Sequence, residues 1–175
     1  GRSVMSDSLI LEAKEKKNEM ISSMSSIILS TISKQGEPNS SYAPSVVDCD
    51  GNFYIYISSL SKHTSNLEVN SKLSLMIIED ESKAENIFGR KRFTMDADSH
   101  IIERDSSEWR SAIDMMEQKF GDTVKFLKDM TDFHMFKIIP FSGLLVHGFA
   151  RAFNFYGEGL SEIRYLNEKG HTQKK

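Results

Sequence analysis

Cysteine is nearly missing from this sequence: Cys49 stands alone among 175 residues. That excludes an internal disulfide and predicts a reducing, cytoplasmic setting. No apolar run approaches the ~20 residues that span a bilayer, and the opening GRSVMSDSLILEAKEKK holds no apolar stretch suited to a signal peptide. Excess charge is lacking too. Lys and Arg number 22 against 25 Asp and Glu, for a net charge of −3, so no bulk attraction to nucleic acid or anionic membrane is expected. The chain carries no paired-cysteine motif, no His-Glu-x-x-His, no Gly-x-Ser-x-Gly, no P-loop and no Gly-x-Gly-x-x-Gly. Its five histidines are scattered at 63, 100, 134, 147 and 171. A site must therefore be assembled from distant segments.

What is present is an ordinary apolar fraction of 39%, with Phe (11) and Met (9) both frequent. Such side chains suit a soft core, and they also suit contact with a large flat apolar surface. Helical spacing in residues 7–23 predicts an opening helix. Residues 25–33, 41–48 and 52–59 read as three strands, joined by turns at Gly36-Glu37-Pro38 and Asp50-Gly51. In the third strand, Phe53, Ile55 and Ile57 share one face, and Tyr54 and Tyr56 share the other. A short helix over 60–70, with Ser61 as candidate cap, precedes a strand at 72–80 and a polar loop at 81–90. A long strand follows over 91–105. A helix over 106–122, capped by Ser106 or Ser107 and stopped by Gly121, leads to a second helix at 123–130. Strands are expected at 131–140, ended by Pro140, and at 141–156, with a looser tail beyond. The expected class is mainly β (α+β): an antiparallel barrel with peripheral helices. The expected division is an N-terminal helix and tag remnant in residues 1–24, the barrel in 25–156 and a C-terminal tail in 157–175.

Three stretches bear on chemistry. Gly89-Arg90-Lys91-Arg92-Phe93-Thr94 brings three cations into a strand. Alternation puts Arg90 and Arg92 on one face, where they form either an anion clamp or a solvated edge. Ser61-Lys62-His63-Thr64-Ser65-Asn66 lies at a strand-to-helix turn and is either an anion seat or plain capping. Asp132, at the start of Asp132-Phe133-His134, is an exposed strand-start residue unless it meets a histidine. The other histidines take bland places: His134 and His147 as hydrogen-bonded barrel residues, His100 on the surface. Trp109 is expected to face the core from its helix.

The order of the early strands, SKHTSNL, FGRKRFT, TDFHMFKIIPFSGLLVHGFARAF and the late Gly170-His171 pair resembles the haem-utilisation proteins of the HutZ/HugZ type. These lie within the wider pyridoxamine-phosphate-oxidase-like, FMN-binding split-barrel group. The resemblance runs from the first strand to His171. It implies a homodimer of split barrels that binds haem between subunits and degrades it oxidatively to release iron for acquisition. It further implies His171 as axial ligand of the haem iron, Asp132 as its supporting carboxylate, Arg92 and then Arg90 as basic residues near haem, and His63 beside the cofactor region.

Residue chemistry agrees with these roles. Neutral imidazole is a strong iron donor, and a carboxylate on its other nitrogen fixes the tautomer. Protonation of the His171–Asp132 pair is expected to weaken that donation. Gly170 gives freedom to aim His171, and Arg92, Arg90 or Lys174 suits the haem propionates. Two alternatives stay open. One is an FMN-dependent oxidoreductase holding flavin through Arg90, Arg92, Lys62 and Thr64; the other is a non-catalytic haem storage or transfer protein. The electron donor is unknown on every reading.

Overall fold

In a computed structural model, residues 4–149 and 151–166 are described. Among them the chain forms, in order, α1 (Val4–Ser23), β1 (Ser26–Ile32), β2 (Pro38–Pro44), β3 (Val46–Val47), β4 (Phe53–Ser58), α2 (Lys62–Val69), β5 (Lys72–Ile78), β6 (Arg92–Ile102), α3 (Ser107–Phe120), α4 (Asp122–Leu127), β7 (Phe133–Val146), β8 (Ala152–Tyr156) and β9 (Glu162–Tyr165). Short 3-10 turns occupy Glu81–Lys83, Ile87–Gly89 and Glu158–Leu160. The hydrogen-bonded strand order is β2-β1-β5-β6-β7-β4-β3, with β8 on β7 and β9 on β8. The pairs β1–β2, β3–β4, β4–β7, β7–β8 and β8–β9 run antiparallel.

Two compact units emerge. One is Ser25–Leu75 with Asp96–Pro140; the other takes the described residues up to Met24, Met76–Met95 and those from Phe141 onward. The core of the first unit follows from two sequence patterns meeting. Phe53, Ile55 and Ile57 bury one face of β4, while Tyr54 and half-buried Tyr56 turn to the other. In α3, Trp109, Ala112, Ile113 and Met116 recur at helical spacing and are all buried. They close over Val46, Tyr54, Ile102 and Met135. Ser106 caps α3 by accepting the Trp109 N–H at 3.2 Å, and Gly121 ends the helix at φ 73°.

The other unit is built on phenylalanine. Phe93 and Phe155 meet edge to face at 5.2 Å, Phe153 lies 4.9 Å from Tyr165, and α1 packs on β9. Gly143 is required here, because a Cβ would stand 2.6 Å from Cε1 of Phe93.

Three expectations need correction. Pro140 does not end its strand; β7 continues to Val146. Residue 140 lies between the end of the β4 ladder at Ile138 and the start of the β8 ladder at Ser142, so neither of those two ladders needs its missing N–H. β7 ends at Val146 and β8 begins at Ala152, and Gly148 between them has φ 145°. The segment after 156 is not uniformly loose, since β9 pairs Ile163 with Phe155.

Candidate functional site

The cations of the 81–92 region are the first component. Arg90 folds back on its own loop. Its Nε and Nη2 donate to the Glu79 carbonyl at 3.2 and 2.5 Å, and Nη1 lies 3.6 Å from the Glu81 carboxylate. Arg92, first residue of β6, donates from Nη1 to the Arg90 carbonyl at 2.9 Å. The Arg92 guanidinium is thus tied to the Arg90 backbone, while the Arg90 guanidinium braces the loop before it. Beside them stands an apolar surface. Phe88 is 84% exposed, Phe149 is 64% exposed and Ile87 is exposed as well. The Phe149 ring overlies Gly89, whose Cβ position is 3.8 Å from Cδ2 of that ring. Exposed aromatic rings on two touching turns next to arginines suit a flat apolar ligand bearing acidic groups.

The second component lies in the other unit. Ser61 makes no side-chain cap to α2; its main-chain carbonyl accepts the Thr64 N–H at 3.1 Å instead. Thr64 is fully buried and donates its hydroxyl to the Ser58 carbonyl at 2.5 Å. That hydroxyl serves the β4–α2 junction, which weighs against it as a phosphate ligand. His63 is buried, with Nδ1 2.8 Å from the Ser41 hydroxyl, and desolvation holds its pKa below the ordinary histidine value. Lys62 is exposed.

Asp132 stands exposed in the turn one residue before β7, and its carbonyl accepts the Ser59 N–H at 2.7 Å. Because Ser58 pairs with Phe133, Asp132 and the start of α2 share one end of β4. Arg92 and Arg90 belong to one unit, and Asp132, His63, Lys62 and Thr64 to the other. His171, Gly170 and Lys174 lie outside the described residues, as does Ala150.

Arg104 is the residue that sequence reasoning missed. Its Nη1 donates to the Lys128 carbonyl at 2.9 Å. Its Nη2 shares two protons among Met130 O (2.7 Å), Phe133 O (2.9 Å) and Tyr56 Oη (2.9 Å). The guanidinium carbon also lies 5.0 Å from the Trp109 ring and 6.0 Å from the Tyr56 ring. With Trp109, Phe133 and His134 it lines an open cavity of about 320 Å3. No motif announces such a residue, since most of its acceptors are main-chain carbonyls distant in sequence.

Among the other histidines, His100 is exposed and His134 half-buried, opposite Ile57. His147 departs from expectation. It is buried and stacked on Phe153 at 5.4 Å, but its Nε2 has no hydrogen-bond partner among the described residues. Trp109 faces the core as expected. No group of three or more metal-ligating side chains gathers among the described residues, and none of their helices is long and apolar enough to cross a membrane.

Comparison with known proteins gives this geometry its context. The model of a family described as pyridoxamine 5'-phosphate oxidase matches residues 13–147. The chain is 41% identical over 145 residues to a Vibrio cholerae serotype O1 protein named heme oxygenase HutZ, covering 83% of this chain and 81% of that one. A solved structure of Vibrio cholerae HutZ, described as a heme storage protein, superposes with a TM-score of 0.70 at 38% identity, covering 73% of this chain and 89% of that one. Campylobacter jejuni ChuZ superposes with a TM-score of 0.84 at 32% identity, covering 94% of this chain and 66% of that one.

Proposed function

The chain belongs to the pyridoxamine 5'-phosphate oxidase family as a HutZ-type member with the antiparallel split-barrel fold, and from that premise we propose that it binds haem and degrades it oxidatively. The observation that carries the reading is the 41% identity, over most of both chains, to a protein named heme oxygenase. The residues present fit the ligand. Exposed Phe88 and Phe149 offer apolar rings beside Arg92 and Arg90, which matches a planar apolar molecule carrying carboxylates.

Bound haem supplies a redox-active iron and is itself the substrate consumed. The chain's part is to bind, orient and exclude water. Arg92 meets the acidic groups, and Arg90 holds the loop from which Arg92 departs. His171 gives the iron its nitrogen donor. Asp132 accepts a hydrogen bond from the other ring nitrogen, which fixes the tautomer and raises ligand basicity. His63, buried and bonded to Ser41, supports the start of α2. Two chains form the working unit, with Asp132 reaching the histidine of its partner.

The storage description attached to one HutZ structure favours a second reading, binding without chemistry. One experiment separates the two. Hemin-loaded protein is exposed to reductant and air. Decay of the haem absorption with appearance of an open-chain tetrapyrrole and chelatable iron marks the enzyme; a persistent spectrum marks the store. In the same assay His171→Leu is expected to lose most hemin affinity. Binding and turnover at wild-type level in that variant would remove His171 from its role.

A further inference from the structure

Arg104 spends a cationic fork on neutral oxygens, three of them main-chain carbonyls. They belong to Lys128, Met130 and Phe133, which bracket Asp132. The fourth acceptor, Tyr56, adds to the same bracket, its hydroxyl proton facing the carbonyls of Leu127 (3.1 Å), Lys128 (3.4 Å) and Met130 (3.3 Å). On the far side, the Asp132 carbonyl is held by Ser59 at 2.7 Å. The guanidinium is itself held by its approach to the Trp109 and Tyr56 rings, and Trp109 is anchored in the buried face of α3. The connection from α4 to β7 would otherwise be a turn with an exposed acid. Here a rigid planar donor fixes it on the barrel side and a strand-end amide on the other.

We propose that Arg104 is a positioning residue: it holds residues 128–133 in one conformation and so presents the Asp132 carboxylate at a fixed place toward the ligand histidine. The inference rests on the role given to Asp132 under Proposed function. A lysine cannot substitute, because a single ammonium does not reproduce the guanidinium fork that reaches three carbonyls and the Tyr56 hydroxyl. The free aspartate would then sample several positions, and its support of the histidine would fall in proportion to the time spent elsewhere. Loss of an outer partner of a metal-bound histidine weakens binding on the order of 10-fold to 100-fold.

The test uses the full chain loaded with hemin and compares wild type, Arg104→Lys, Asp132→Asn and the double variant. Two quantities are read, the hemin dissociation constant and the position of the ferric haem absorption maximum. Circular dichroism first confirms that each variant is folded. Arg104→Lys is expected to weaken hemin binding about 10-fold and to move the absorption maximum in the direction that Asp132→Asn moves it. The double variant is expected to match Asp132→Asn alone, because a carboxamide gains nothing from being held. An altered Asp132→Asn beside an Arg104→Lys indistinguishable from wild type overturns the inference and leaves the reading of Asp132 standing. Additive effects in the double variant overturn it as well. An Asp132→Asn protein identical to wild type overturns both. Where Arg104→Lys does not fold, Tyr56→Phe takes its place; a smaller shift of the same sign, absent on the Asp132→Asn background, is expected, and wild-type affinity counts against the proposal.

Discussion

Nη2 of Arg104 donates to the hydroxyl oxygen of Tyr56 at 2.9 Å. Together the two side chains tie β4 to the connection between α4 and β7 through its main-chain carbonyls, beside the contact of the Tyr56 and Phe133 rings at 5.3 Å. Burial raises the Tyr56 pKa, with Arg104 acting in the opposite direction. The phenol therefore stays protonated across the physiological range, and its proton stays directed at the carbonyls of residues 127–130. Tyr56→Phe keeps the ring against Trp109 and removes only the hydroxyl. The expected cost is about 1–2 kcal/mol of folding stability, read as a lower urea midpoint with an unchanged slope. An unaltered midpoint would show that the hydroxyl contributes nothing net.

Gly143 tests the phenylalanine core. Its missing Cβ would lie 2.6 and 2.8 Å from two ring carbons of Phe93, and Phe93 is fully buried against Phe155. Gly143→Ala is expected to destabilise by about 1–3 kcal/mol through overpacking. Gly36→Ala is a useful contrast. Nothing lies within 4 Å of a Cβ there, but φ is +81°, so the cost is backbone strain alone, about 1 kcal/mol. If Gly143→Ala proves the milder of the two, the Phe93 ring has room to move that the packing does not suggest.

The buried histidines set a pH dependence of stability. Burial lowers the pKa of both His63 and His147 in the folded chain; near His147, Glu12 acts against this and Arg151 and Lys16 with it. Below the ordinary histidine value of about 6.5, the unfolded chain takes up protons that the folded chain refuses. Stability is therefore complete above that value and is lost as pH falls from it through the lower folded-state values. The urea midpoint is expected to drop between about pH 7.5 and about pH 5.5. A His63→Asn, His147→Phe double variant should show a smaller drop. Equal drops in both proteins would assign the dependence to carboxylates.

Much of the barrel was legible because its signals are local. Ser106 and Gly121 bound α3, Trp109 to Met116 mark its buried face, and β4 alternates. Pro140 misled because a proline ends a strand only where its missing N–H is needed, and the β4 and β8 ladders stop short of that place. β9 has only four residues, and its identity comes from its partner β8. In the site, spacing places Arg90 and Arg92 at the start of the same strand region, and the Arg92 guanidinium bonds the Arg90 carbonyl. Their separate tasks were not legible, since the Glu79 carbonyl that holds Arg90 lies eleven residues back and carries no side-chain signature. Arg104 was invisible for the same reason at longer range.

That difference in task gives a prediction that separates the two arginines. Two adjacent arginines on one face suggest equal partners for an anion. The structure binds the Arg90 guanidinium at three nitrogens, to the Glu79 carbonyl and the Glu81 carboxylate, whereas Arg92 is described with one donor on the Arg90 carbonyl. Arg90→Ala should therefore unpin the 79–90 loop and cost about 1–2 kcal/mol of stability, with hemin affinity falling only as far as the loop is displaced. Arg92→Ala should leave the urea midpoint within about 0.5 kcal/mol and lower hemin affinity directly. The loss should shrink as salt rises, because a partly exposed charge pair is screened. Measuring hemin dissociation constants at low and high salt beside urea midpoints for the two variants decides the matter. If Arg90→Ala is the variant with intact stability and salt-sensitive affinity, the roles are exchanged, and Arg90 must swing away from Glu79 when ligand arrives.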